Sequence, residues 1–415
     1  MKVLLQPTLN DANLDANQSS SQRQLAISIS AFAPLLEQNV PLNLCLILDH
    51  SGSMKGRPLD TVKEAANRLV DRLSPFCDRL SVVVFDHRAK VLVPNQVIEN
   101  PDRIKQQINR LSAEGGTAID KGLQLGIEEL AKGKKETISQ AFLLTDGENE
   151  HGDNNRCLKF AELATGYNLT LNTLGFGDHW NQDILEQIAD AGGGTLSYIQ
   201  QPDRAVEEFG RLFNRIQAVS LTNAYLLFSL MPKVRLAELK PIAQVAPDTI
   251  ELPVQQEADG RFMVRLGDLM KEVDRVVLAN LYIGKFPEGR SAIATLQVRY
   301  DDPGLSQTGL LSETISVDVN VLRQFQPAPN SQVQPHILAL AKYRQTQLAE
   351  AKLQQGDRTG AATMLQTAAK TALQMGDTGA ATVLQTSATR LQSGEDLSEA
   401  DRKKTRIVSK TMLQE

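Results

Sequence analysis

The sequence predicts an α/β chain: a doubly wound, mostly parallel sheet inserted in or followed by an antiparallel β-sandwich, with a C-terminal α-helical domain. Three observations carry this prediction. From Leu42 to about Gln217, short apolar runs alternate with segments of helical periodicity, as in a parallel sheet covered by helices on both faces. From Leu221 to about Leu322, six apolar runs are separated by Pro, Gly and Asp with no helix-length stretch between them, an antiparallel pattern. Beyond Pro335 the chain reads as helix and repeats itself.

The elements follow in order. Residues 1–40 read as two extended segments around an exposed polar loop, NQSSSQRQ (17–24), and are expected to supply strands to the sandwich. LNLCLIL (42–48) is a continuous apolar run, the mark of a strand buried on both faces. Cys45 lies within it and reads as core. Leu59, Val62, Ala66, Leu69 and Leu73 then recur at helical spacing behind Pro58, which suits a first helical turn. Strands are expected at 80–85, 141–146, 169–177 and 194–199, and helices at 118–130, 181–191 and 203–217. Residues 218–325 form the sandwich, 326–335 (QPAPNSQVQP) a linker, and 336–415 a tail of helical hairpins. In the tail, TGAATMLQTAA (359–369) returns as TGAATVLQTSA (378–388), each copy preceded by Gly-Asp. Glycine suits the end of one helix and aspartate the cap of the next.

Composition excludes several classes. The 415 residues allow two or three domains of ~150 residues. A net charge of −5 without a basic stripe argues against nucleic acid as a ligand. No run of ~18 apolar residues suggests a membrane span. MKVLLQPTLNDANLD lacks the apolar region of ~7–15 residues of a secretion signal. The three cysteines, Cys45, Cys77 and Cys157, form no CxxC pair, and this fits reduced thiols and a cytoplasmic location.

The chemistry gathers at one place. Ligands of open α/β sheets bind outside the carboxyl ends of the strands. Asp49 ends one expected strand and Asp146 another, while Thr117 closes the Gly-rich EGGT loop (114–117) before a helix. Ser51 and Ser53 follow Asp49 at alternate positions, so on an extended turn all three side chains point the same way. If the two strands are neighbours, two carboxylates and three hydroxyls converge. These are hard oxygen donors suited to Mg²⁺, with Mn²⁺ or Ca²⁺ as alternatives, and without the Cys or His that zinc or copper prefers.

DHSGS (49–53), GGT (115–117) and TDG (145–147) resemble the three parts of the metal-ion-dependent adhesion site of von Willebrand factor type A (VWA) domains. GFGDHWNQDILEQIADAGGGTLSYI (175–199) resembles a late segment of the same family, and the likeness covers about residues 41–217. The resemblance implies that Ser51 and Ser53 bind Mg²⁺ directly, that Asp49 and Asp146 act largely through water, and that Thr117 does either. It also implies a partner protein whose Asp or Glu completes the metal shell. A further, associational expectation is an adaptor or assembly role with an AAA+ ATPase. His50 reads as a solvent-facing spacer, and Asp120 as a cap or a solvent-facing residue of the first helical turn. Glu148, Asn149 and His151, with Asp153 close by, could form a rim that reads the partner, together with His50.

Two other classes stay open. A scaffold could keep the metal as a stabiliser, and a hydrolase or phosphatase could use Asp49 as a nucleophile. The second is disfavoured: position 51 is Ser where a phosphoryl-accepting site has a second Asp, neither a P-loop nor a G-x-S-x-G elbow occurs, and His50, His87, His151, His179 and His336 form no ligand motif. The reading is therefore a binding protein and not an enzyme.

Overall fold

The structure, a computed structural model, describes residues 2–32, 40–177, 180–199 and 204–410. His179 and the first residue of the helix expected at 203–217 lie outside the described residues.

Six strands form the α/β sheet in the order Ala89–Val97, Arg79–Phe85, Leu42–Asp49, Ile138–Thr145, Thr170–Phe176 and Gly193–Ile199. All pairs are parallel except the edge pair of Ala89–Val97 with Arg79–Phe85. Among the described residues six helices cover the sheet: α1 (Arg57–Arg72), α2 (Pro101–Asn109), α3 (Ile119–Lys132), α4 (Asn154–Gly166), α5 (Gln182–Ala191) and α6 (Ala205–Gln217). Every residue of Leu42–Asp49 is buried because each face has its own helical layer. Leu44, Leu46 and Leu48 pack with Leu59 and Val62 of α1 and Phe209 and Phe213 of α6. Cys45 and Ile47 point the other way, toward Leu123 of α3, Ala161 of α4 and Ile188 of α5. The edge strand Ala89–Val97 and helices α2 and α4 are not foreseen in the sequence reading. The strand contains Pro94, which demotes a run to an edge position, and α4 has a weak apolar stripe that buries only Cys157, Ala161 and Ala164.

The α/β domain is inserted into a two-sheet unit. One sheet runs Val3–Leu9, Ser20–Ala31, Arg275–Gly284, Ile242–Ala246, Ile250–Glu251. The other runs Val254–Gln256, Phe262–Met270, Val219–Leu230, Gly289–Asp302, Ile315–Leu322, Asn13–Asp15. They close over a shared core that includes Ile27 and Val277 from one and Leu226 and Val298 from the other. Part of the stretch expected as an exposed loop at 17–24 is strand. Ser20–Gln24 begins the Ser20–Ala31 strand and pairs with Asn280–Gly284.

Among the described residues four helices follow: α7 (Gln334–Gln354), α8 (Arg358–Gln374), α9 (Thr378–Gln392) and α10 (Glu399–Lys410). The duplicated sequence lies on α8 and α9. Gly356 and Gly376 both have φ +79. Asp357 and Asp377 then cap the helices by accepting from Gly360 N (2.7 Å) and Ala380 N (2.8 Å). The segment 326–335, read as a linker, does not stand free. Asn13 Nδ2 donates to Gln326 O (2.9 Å) and Asn330 N to Asn10 O (2.8 Å). Leu340 and Tyr343 of α7 share a core with Val245 and Leu278 of the two-sheet unit. Among the described residues no helix is long and apolar enough to cross a membrane.

Candidate metal centre and family

The strand Leu42–Asp49 sits directly beside Ile138–Thr145, so Asp49 and Asp146 leave the sheet side by side. Asp49 is fully buried. Thr145 Oγ1 donates to its Oδ2 at 2.5 Å and Ser51 N to its Oδ1 at 2.7 Å. Burial nevertheless pushes the Asp49 carboxyl up to about 6, against the pull of these hydrogen bonds and helped by the nearby Asp146 charge. Thr145, quoted within TDG but given no role in the sequence reading, thus holds the Asp49 carboxylate. Its only sequence signal is that it precedes Asp146.

The backbone does not stay extended through the motif. Ser51 is extended (φ −60°, ψ 169°), but Gly52–Met54 is a 3₁₀ turn, closed by Met54 N donating to Ser51 O at 3.1 Å. Alternation along an extended turn therefore accounts for Ser51 but not Ser53. The turn still brings the hydroxyls together: Ser51 Oγ and Ser53 Oγ are 3.0 Å apart, and Ser53 Oγ donates to Asp146 Oδ1 at 2.6 Å. Thr117 meets the same point. A Cβ on Gly147 would lie 3.2 Å from Thr117 Oγ1 and 3.7 Å from Ser53 Oγ. Exposure grades across the set. Asp49, Ser51 and Thr117 are buried, Asp146 is half-buried and Ser53 is exposed.

Two loops are locked to each other to hold this set. Gly52 N donates to Gly115 O (2.9 Å), Glu114 N to His50 O (2.8 Å) and His50 N to Phe85 O (2.9 Å). Gly115 has φ +73, and a side chain there would strike His87 Nδ1 at 2.5 Å and Asp86 Oδ2 at 2.9 Å, so the EGGT loop needs glycine at this point.

The proposed rim separates into two kinds of residue. Glu148 and His151 are exposed. The His151 ring lies against Gly116, where a Cβ would come within 2.2 Å of it. His50 is not a solvent-facing spacer: it is buried, with Nδ1 3.0 Å from Ser112 O. Asn149 is turned inward, where Oδ1 accepts from Ile119 N (2.7 Å) and Nδ2 donates to Asn154 Oδ1 (3.0 Å). It fixes the start of α3. Asp153 caps α4. Asp120, expected as a cap or at the surface, is buried and pairs with Arg156 at 3.3 Å. These inward turns are tertiary events, since each polar side chain has its partner on a different loop or helix.

The donor set suits a hard dication. It offers carboxylate and hydroxyl oxygens and no nitrogen or sulfur. Among the described residues no group of three or more His, Cys, Asp or Glu is placed to hold a metal, so hydroxyls would have to complete the coordination here.

Comparison with known proteins agrees with this architecture. The von Willebrand factor type A domain family matches residues 43–211, and the Sll0103-like C-terminal alpha-helical domain family matches residues 331–415. The Synechocystis protein sll0103 is 59% identical over 414 residues, covering 100% of this chain and 98% of that one. Inter-alpha-trypsin inhibitor heavy chain H4 of Bos taurus is 30% identical over 203 residues, 46% of this chain and 22% of that protein, so here the likeness is confined to a minor part of the relative. Among solved structures, the von Willebrand factor type A protein of Catenulispora acidiphila shares the fold across 100% of this chain and 97% of its own (TM-score 0.82, 18% identity). The ArnB paralog VWA2 of Sulfolobus acidocaldarius does so across 99% and 98% (TM-score 0.59, 16% identity). The chain belongs to the Sll0103-like family, in which a von Willebrand factor type A domain is joined to a C-terminal α-helical domain.

Proposed function

We propose that this protein is a metal-dependent protein–protein interaction module with an adaptor or assembly role. VWA domains commonly mediate protein contacts, and the finer reading rests on one observation. The hydroxyls of Ser51, Ser53 and Thr117 gather with Asp146 at the open carboxyl edge of the sheet, with Asp49 buried behind them. Ser51, Ser53 and Thr117 would hold Mg²⁺, with Asp49 and Asp146 supplying the negative charge. A bound Mg²⁺ supplies Lewis acidity, which neutral hydroxyl ligands leave largely unquenched, so an Asp or Glu from outside is favoured. Asp49 orients Ser51 through its main-chain N–H, and Thr145 fixes the Asp49 carboxylate. Exposed Ser53 and half-buried Asp146 face the side from which a partner arrives, with Glu148 and His151 beside them.

The test is titration calorimetry with Mg²⁺, followed by affinity capture with Mg²⁺ or EDTA. Saturable Mg²⁺ binding that is lost in a folded Asp49→Ala variant, with partners retained only in Mg²⁺, is the expected result. Wild-type Mg²⁺ affinity in that variant would remove the assignment. Metal binding with EDTA-insensitive partners would favour a scaffold with a stabilising metal.

A further inference from the structure

We propose that the cavity between the α/β domain and the two-sheet unit binds a small organic anion, a carboxylate with an apolar body, on the guanidinium of Arg265. The cavity measures about 610 Å³, within the range of small-molecule sites. Gln140, Thr170 and Asn172 line it from the amino ends of the parallel strands. It therefore lies at the opposite end of the sheet from Asp49 and Asp146 and is a separate site.

A β-bulge builds it. The strand Phe262–Met270 pairs with Val219–Leu230, but the register slips between Ala224, which faces Gly267, and Tyr225, which faces Arg265. Gly267 has φ +79. In a regular strand Arg265 and Asp268 would point to opposite faces; here both line the cavity.

The charged groups around it are accounted for, with one exception. Asp268 accepts from Gln140 Nε2 (2.6 Å) and Thr170 Oγ1 (2.8 Å). Arg275 donates to Leu266 O (2.5 Å) and Asp268 O (2.8 Å). Arg215 pairs with Asp248 at 3.3 Å, Asp190 with Lys410 at 3.1 Å, and Glu251 with Arg344 at 2.8 Å. Glu162 is exposed. Arg265 is the exception. Among the described residues no carboxylate lies within ion-pair distance of it, and its Nε is shut off from solvent without a hydrogen-bond partner. Charges of both signs surround Arg275: burial first and the Arg215 charge next, with a smaller push from Arg265, pull it down to about 10 against the opposing pull of Asp268 and Asp248.

The place of this guanidinium is kept clear by glycine. Gly193 has φ +69, and a Cβ there would fall 2.4 Å from Arg265 Nη1. A guanidinium whose Nε–H has no acceptor and that pairs with no carboxylate calls for a planar oxyanion that takes two parallel hydrogen bonds. Leu252, Pro253, Met263 and Met270 form apolar walls and favour a carboxylate carrying a hydrocarbon body over a strongly hydrated inorganic ion.

The experiment uses the full chain and measures thermal stabilisation and calorimetric binding with benzoate and hexanoate at millimolar concentrations. Benzamide and hexanamide serve as neutral controls of the same shape. The carboxylates are expected to bind and raise the melting temperature, and the amides are not. Arg265→Gln is expected to weaken carboxylate binding about tenfold or more, the loss of a charge-assisted pair. Arg265→Lys, which keeps the charge but not the planar fork, should fall between and serves where Arg265→Gln does not fold. No response of the wild type to either carboxylate, an equal response to carboxylate and amide, or full carboxylate binding in the Arg265 variants would overturn the proposal. Mg²⁺ binding at Asp49 is independent of each outcome.

Discussion

Two acidic regions of the α/β domain differ in what faces their carboxylates. Along α5, Asp183, Glu186 and Asp190 meet Arg406 and Lys410 of α10. Arg406 pairs with Asp183 and Glu186 and reaches Glu350 at 3.3 Å, while Lys410 pairs with Glu186 and reaches Asp190 at 3.1 Å. Lys403 adds its ammonium over the Trp180 ring at 4.4 Å. At the carboxyl end of the sheet, Asp49 and Asp146 are faced by the hydroxyls of Thr145 and Ser53. The first region is closed, since the chain supplies its own cations and thereby ties the helical domain down. Around Asp49 the second offers a hydroxyl and a main-chain N–H, with the Ser51 and Ser53 hydroxyls beside them, a donor set suited to a cation and a ligand from elsewhere. Along α5 the buried carboxylate acts as a structural fastener because the fold brings it cations.

The comparison breaks most readily on the closed side. Glu186 is 2% exposed. Glu186→Ala leaves Arg406 and Lys410 short of their shared partner and should destabilise the protein by about 3 kcal/mol, the cost of breaking a buried pair from one side. Urea unfolding measures it; a loss below ~1 kcal/mol would show that Asp183, Asp190 and Glu350 suffice. On the open side, Mg²⁺ at a hundred times its dissociation constant should stabilise the wild type by ~2.7 kcal/mol. Melting curves in Mg²⁺ and in EDTA read this directly, and Asp49→Ala should melt identically in both. Thr117→Ala should keep Mg²⁺ binding while weakening a captured partner by ~1–2 kcal/mol, the scale of a lost hydrogen-bonding or coordinating group. Paired titrations of metal alone and of partner at saturating Mg²⁺ separate the two, and an unchanged partner affinity would make Thr117 purely structural. The smallest effect sharpens the role of burial. Arg358 and Asp396 form an ion pair in the tail with side chains 48% and 72% exposed, and Arg358→Ala should shift stability by less than ~0.5 kcal/mol.

Much of the fold is legible in the sequence because burial leaves a pattern. Leu42–Asp49 is covered on both faces and reads as an unbroken apolar run. The helix boundaries in the tail read correctly from Gly356-Asp357 and Gly376-Asp377 because left-handed glycine and capping aspartate are local requirements. The Ala89–Val97 strand escapes because it is an edge with only partial burial and a proline. The Ser20–Gln24 strand start escapes because its side chains are polar and its pairing partner, Asn280–Gly284, lies far along the chain.

The order Asp49, Ser51, Ser53, Thr117, Asp146 is written in the sequence, and so is the strand context that puts Asp49 and Asp146 at carboxyl ends. Residue type and short-range periodicity fix these, since each depends on local backbone geometry. Tertiary structure alone decided that Ile138–Thr145 lies beside Leu42–Asp49, that Thr145 holds the Asp49 carboxylate, and that His50, Asn149 and Asp120 turn inward. It also decided that α10 folds back to neutralise α5 and that the bulge at Gly267 sets Arg265 in a cavity with no acceptor for its Nε. In every such case the two partners are far apart in sequence, and a polar side chain's role is set by which charge or hydrogen-bonding group the fold delivers to it.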